Sequence, residues 1–80
     1  MALVRKIQEV AKQRHSVHGD TSCSYSAFRQ SGKTYLQLDT YGSKQRKLRG
    51  KISQTLQFNE QAAKELMRII EETFPNLRSG

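Results

Sequence analysis

The apolar residues of this chain change period twice along its length. From residue 2 to about 14, Leu3, Val4, Ile7, Val10 and Ala11 recur at helical spacing, with Arg5, Lys6, Glu9, Lys12 and Gln13 on the other side. That pattern predicts an amphipathic N-terminal helix with a basic outer face. After the connector His15-Ser-Val-His-Gly-Asp20 the period drops to two. Cys23, Tyr25 and Ala27 alternate with Ser22, Ser24 and Ser26, and Phe28 breaks the polarity near the end. Leu36 and Leu38 alternate with Tyr35, Gln37, Asp39 and Tyr41. Ile52, Leu56 and Phe58, interrupted by Gln54, alternate with Ser53, Thr55 and Gln57. These stretches read as three strands, over 21–29, 34–41 and 52–58. The first two are joined by a tight turn in which Gly32 supplies a positive φ.

Helical spacing returns after Phe58. Asn59 is a good N-cap, and Glu60 sits favourably at the positive end of the helix dipole. Ala62, Ala63, Leu66, Ile69, Ile70 and Thr73 make a broad apolar stripe with Met67 at its edge, and Pro75 stops the helix. The expected fold class is therefore α+β, in one small domain over 1–80. It has a helix at 1–14, a three-stranded antiparallel sheet within 21–58, a helix at 59–74 packed on the sheet, and a tail at 75–80. Leu3, Ile7 and Val10 are expected to share one core with Leu36, Leu38, Leu56, Leu66 and Ile70.

Between the second and third strands the alternation stops. Gly42-Ser-Lys-Gln-Arg-Lys-Leu-Arg-Gly-Lys-Ile52 carries five cations in eight residues, Lys44, Arg46, Lys47, Arg49 and Lys51, with no acid among them. Gly42 and Gly50 bracket the run, and it reads as a long basic loop. The formal net charge is +7, and the loop holds most of it. Residues 1–19 add +3, residues 20–43 balance, and residues 52–80 come to −1. A charge run is often only a solvated surface. The functional reading is a phosphate-contacting loop, because concentrated positive potential attracts polyanions. Nucleic acid is the first partner this balance suggests and an anionic membrane the second; no membrane partner is expected.

Composition narrows the rest. A chain of 80 residues buries roughly 60–65% of its unfolded surface. Its core is thin, and self-association as a homodimer would extend it. Its apolar runs are far below a transmembrane span, and its N-terminus shows no signal-peptide pattern. The lone Cys23 fits a reducing, cytoplasmic setting. His15, His18, Asp20 and Cys23 are metal-ligand types but lack the paired spacing of a structural zinc site, so no metal or other cofactor is expected. No catalytic constellation is legible, since Asp39 is a lone strand carboxylate and the serines lack a base partner. The chain is read as a non-enzyme.

Tyr35 and Tyr41 fall on the face opposite Leu36 and Leu38, which leaves that face open or covered by a partner. Tyrosines on an open sheet beside a cationic loop suit single-stranded nucleic acid: rings stack on unpaired bases while cations follow phosphates. Gln37, Ser53, Thr55 and Gln57 would add hydrogen bonds. The expected binding residues are Tyr35, Gln37, Tyr41, Lys44, Arg46, Lys47, Arg49 and Lys51.

From Tyr25 to Ile70 the layout resembles the transcriptional positive cofactor four family of single-stranded-DNA-binding coactivators. The matching stretches are the turn Ser31-Gly32-Lys33, the aromatic and acidic strand from Tyr35 to Tyr41, the charged linker, Gly50-Lys51-Ile52-Ser53, and Phe58-Asn59-Glu60-Gln61 opening the last helix. The resemblance implies single-strand binding by the sheet and basic loops, DNA rather than RNA, a role in transcription, and a helix that helps form a dimer. The predicted N-terminal helix departs from that layout. The order helix, three strands, helix also resembles a double-stranded-RNA-binding domain. That family opens its last helix with adjacent lysines, whereas this chain has Asn59-Glu60-Gln61-Ala62. A double-stranded nucleic-acid module and an accessory protein-interaction subunit both stay open as alternatives.

Overall fold

The computed structural model describes residues 1–42 and 51–77. Its elements are β1 (Ala2–Val4), β2 (Cys23–Gln30), β3 (Lys33–Tyr41), β4 (Ile52–Phe58) and α1 (Glu60–Thr73). They form one four-stranded mixed sheet in the order β1-β4-β3-β2, with α1 as the only helix among the described residues. The class is α+β, but the predicted N-terminal helix and three-stranded antiparallel sheet are incorrect. Ala2–Val4 is instead an edge strand running parallel to β4, with Leu3 opposite Gln57 and Val4 opposite Phe58.

The reason lies in what the two conformations satisfy. A helix of about 13 residues is marginal unless its apolar face is packed. The exposed edge of β4 presents unpaired backbone groups that a short strand can take up. The pairing extends to Asn59, whose N–H donates to the Val4 carbonyl at 3.4 Å. Val4, Ile7 and Val10 are also β-branched, which lowers helix propensity. Beyond β1 the chain to residue 22 has no regular element, and nearly all of it is exposed.

The β2–β3 hairpin closes on Ser31-Gly32, both in the left-handed region, with φ of 54° and 78°. Two consecutive positive φ values make the two-residue turn that suits right-twisted strands. The turn sets the register, with Gln30 opposite Lys33, Phe28 opposite Tyr35 and Ala27 opposite Leu36. Arg29 steadies it, donating to the Gly32 carbonyl at 3.2 Å and to the Thr34 hydroxyl at 3.1 Å. Between β3 and β4 the ladder shifts near Thr40 and Tyr41, so Tyr41 pairs with Ile52.

Helix α1 begins where expected. Asn59 is its N-cap, and its side chain accepts from the Ala62 N–H at 2.9 Å. The first turn lies over the Leu36–Phe58 end of the sheet, where Ala27, Leu36, Phe58 and Ala63 line a shallow apolar depression. The predicted core is much reduced. Among the described residues the buried apolar positions are Tyr41, Phe58 and Ala62. Leu3, Ile7, Leu36, Leu38, Leu66 and Ile70 are half-buried, and Val10 and Leu56 are exposed. Geometry explains this. One helix is about 10 Å across and strands are about 4.8 Å apart, so a single helix covers about two strands of four.

Candidate nucleic-acid interface

Cross-strand register sorts the side chains onto two faces. The face with α1 carries Ala27, Leu36, Leu38, Leu56 and Phe58. The opposite face carries Phe28 with Tyr35, then Gln37 with Gln57, then Asp39 with Thr55, and ends at Tyr41. Each row has its own closing interaction.

At the hairpin end, Phe28 and Tyr35 stack with ring centroids 5.3 Å apart and planes at 24°. Both are half-buried, so part of each ring meets solvent. In the middle, Gln57 Nε2 donates to Gln37 Oε1 at 2.9 Å. Gln37 Nε2 in turn donates to both oxygens of Asp39, at 3.2 and 3.1 Å. Thr55 Oγ1 adds a 2.6 Å bond to Asp39 Oδ1. A carboxylate only accepts, so Asp39 fixes the Gln37 amide with its nitrogen inward, and that leaves the Gln37 oxygen for Gln57. Asp39 is itself buried, at 8% exposure, and this donor set satisfies it.

Tyr41 closes the other end. It is 6% exposed, and its hydroxyl lies 2.9 Å from Ser24 Oγ. Its N–H donates to the Ser22 carbonyl at 3.1 Å, and the Thr21 hydroxyl donates to its carbonyl. The structure thus brings Tyr35 and Gln37 onto one partly open face and packs Tyr41 into its margin. Lys51 is exposed. Lys44, Arg46, Lys47 and Arg49 lie outside the described residues. Their segment joins Gly42 to Lys51, and so leaves and re-enters the sheet beside the Tyr41–Ile52 pair.

Reading the sequence alone missed two members of this face. Phe28 appeared only as a break in polarity. Once the turn is placed on Ser31-Gly32, counting back three residues from the turn and forward three sets Phe28 opposite Tyr35. Asp39 seemed isolated because its partners come from Gln37 on its own strand and Thr55 on the next. Among the described residues, no three of His, Cys, Asp and Glu gather as a metal-holding group. No helix among them is long and apolar enough to cross a membrane. The helix–strands–helix order behind the likeness to a double-stranded-RNA-binding domain is absent, since the first helix is a strand. No family model, no curated protein and no solved structure matches the chain.

Proposed function

We propose that this chain is a small nucleic-acid-binding protein that takes single strands, DNA by preference, across the polar face of its sheet. The observation that carries the reading is a juxtaposition. The sequence between Gly42 and Ile52 holds five cations, and its described ends meet at the Tyr41–Ile52 end of a sheet whose polar face bears a stacked, half-buried aromatic pair and a row of oriented amides. Electrostatics decides how a strand would lie. Asp39 disfavours phosphates over the middle of the face, so the bases sit there and the backbone follows Lys44, Arg46, Lys47, Arg49 and Lys51. Tyr35, backed by Phe28, is the stacking platform; Gln37 and Gln57 meet base edges. Tyr41, being buried, supports the face from within. The preference for DNA over RNA rests on the resemblance of the sequence from Tyr25 to Ile70 to the single-stranded-DNA-binding coactivators.

Binding of labelled single- and double-stranded DNA and RNA of equal length, at two salt concentrations, tests the reading. Four phosphate contacts give a log–log salt slope of about −3 on single strands, from about −0.7 per contact. Arg46→Gln with Lys47→Gln should make the slope shallower by about 1 to 1.5, with similar loss for every base sequence. Tyr35→Ala should weaken single-strand binding by roughly 1–3 kcal/mol and duplex binding far less. Absence of binding to all four probes would sink the proposal and favour a protein-interaction subunit.

A further inference from the structure

The hydrogen bonds of the polar face run in one direction. Asp39 can only accept, so the Gln37 amide turns its nitrogen toward the carboxylate, at 3.2 and 3.1 Å. Its oxygen then faces Gln57 and accepts from Gln57 Nε2 at 2.9 Å. The Gln57 amide is oriented in turn, and among the described residues no side chain donates to its oxygen. The next position across the sheet offers no donor, because Leu3 of β1 stands opposite Gln57 and its side chain is apolar. The row therefore begins at a buried carboxylate and ends at an unfilled carbonyl oxygen.

The charge at the head of the row is met by neutral donors, Gln37 and Thr55. Among the described residues the side-chain salt bridges, Lys64 with Glu60 and Arg68 with Glu72, lie on the surface of α1, and none reaches Asp39. Asp39 is buried, so salt and water screen it less than a surface carboxylate. Its field favours partial positive charge over the middle of the face and disfavours an incoming oxygen. The same field reaches the Gln37–Gln57 pair, because Gln37 precedes Asp39 by two residues on one face of β3, about 6.6 Å along the strand.

We propose, on the reading that unpaired bases lie over this face, that the row Asp39–Gln37–Gln57 selects guanine. The open oxygen of Gln57 takes an N–H donor, and the remaining N–H of the same amide takes an acceptor. Every base supplies that pair from its Watson–Crick edge: guanine N1–H with O6, thymine N3–H with O4, adenine N6–H with N1, cytosine N4–H with N3. The third group on the edge decides between them. Guanine adds the N2 amino group, a second donor. Adenine adds a C–H. Thymine and cytosine each add a carbonyl oxygen, which the field of Asp39 repels. Stacking acts in the same sense, since a purine lays a larger face on Tyr35. The order of preference is guanine, then adenine, then the pyrimidines.

Competition binding to the full chain at low salt is the test, with thymine strands of roughly twelve nucleotides, within the site sizes of single-strand binders. Guanine, inosine, adenine or cytosine replaces thymine at isolated positions, spaced so that guanines do not associate with one another. The guanine strand should bind about 5-fold or more tighter than the all-thymine strand. Inosine keeps N1–H, O6 and N7 but lacks the N2 amino group, so its strand should fall back to the level of adenine. Gln57→Leu removes the open oxygen and should bring the guanine and thymine strands within about 2-fold of each other. The inosine strand needs no variant, so the proposal stays testable if Gln57→Leu loses its circular-dichroism signal. An inosine strand that binds like the guanine strand overturns the proposal, because O6 and N7 are then what is read, and a cation reads those. Equal binding of all strands overturns guanine selection and leaves single-strand binding standing. Absence of binding to every strand overturns both.

Discussion

The two faces of the sheet solve the same problem by different means. On the polar face the closing contacts stay within the sheet: across strands, ring to ring at Phe28–Tyr35, amide to amide at Gln37–Gln57 and hydroxyl to carboxylate at Thr55–Asp39, and along β3, amide to carboxylate at Gln37–Asp39. Adjacent strands place such partners within reach, so the face can be ordered without a second layer. The apolar face cannot be finished that way. Burying its side chains requires another layer, and this chain supplies one helix of 14 residues, roughly 21 Å long. Phe58 and Ala62 are sealed where that helix begins; Tyr25 and Leu56 are not. Polar order is local in the sheet, whereas apolar burial depends on how much chain is left to cover it.

The largest effect should come from the sealed end of the apolar face. Phe58, at 6% exposure, sits opposite Leu36 at the foot of α1. Phe58→Ala should cost about 3–5 kcal/mol, a large share of the stability of a domain this size. Urea unfolding followed by circular dichroism measures it. A loss below about 1 kcal/mol would mean that the helix does not seal that end, and the contrast within the apolar face would collapse.

The polar face should respond less, but for a reason that identifies it. Asp39→Asn keeps the shape and replaces one acceptor oxygen with a donor. That donor must then face Gln37 Nε2, which already donates, or turn the Thr55 hydroxyl from donor to acceptor. The expected cost is about 1–3 kcal/mol, from the loss of hydrogen bonds to a charged acceptor. Unchanged stability would show that the ladder is loose in solution and that the oriented amides proposed to meet base edges are not oriented at all.

How far each part was legible follows from the range of the interactions that decide it. Helix α1 was legible from its start at Asn59 to its stop before Pro75, because capping and the apolar stripe are local. The strands at 34–41 and 52–58 were legible from alternation alone. The N-terminus was not. Leu3, Val4, Ile7 and Val10 satisfy a helical template, but the vacant edge of β4, more than 50 residues away, decides the matter. Burial was overestimated for a related reason: periodicity tells which side of an element is apolar, not whether anything covers it. Leu56 and Met67 are on the predicted sides and still exposed. For the candidate site, the placing of Tyr35 and Gln37 on one face was legible by parity, and Asp39's hydrogen-bond network was missed because it reaches across strands. Tyr41 shares their parity, yet its hydroxyl bond to Ser24 and its place at the sheet margin make it a support.

The smallest expected effect concerns the turn that assigns residues to the two faces. A shift of one residue in the β2–β3 register would send each side chain of β2 to the other face. The register is tied to Ser31-Gly32, and Ser31 sits at φ 54°, where an ordinary L-residue loses roughly 1–2 kcal/mol. Asparagine tolerates that conformation better, and Asn-Gly is the preferred pair for such a turn. Ser31→Asn should therefore stabilise the chain, by a few tenths to about 1 kcal/mol, with Phe28 and Tyr35 still opposed. Thermal unfolding gives the sign, and cross-peaks between the two aromatic rings in a nuclear magnetic resonance spectrum report the register. A gain in stability with the ring contact intact would show that the turn sets the pairing that separates the faces. A loss, or disappearance of the ring contact, would mean that the positive φ at Ser31 is not held in solution and that something other than the turn decides which residues face each way.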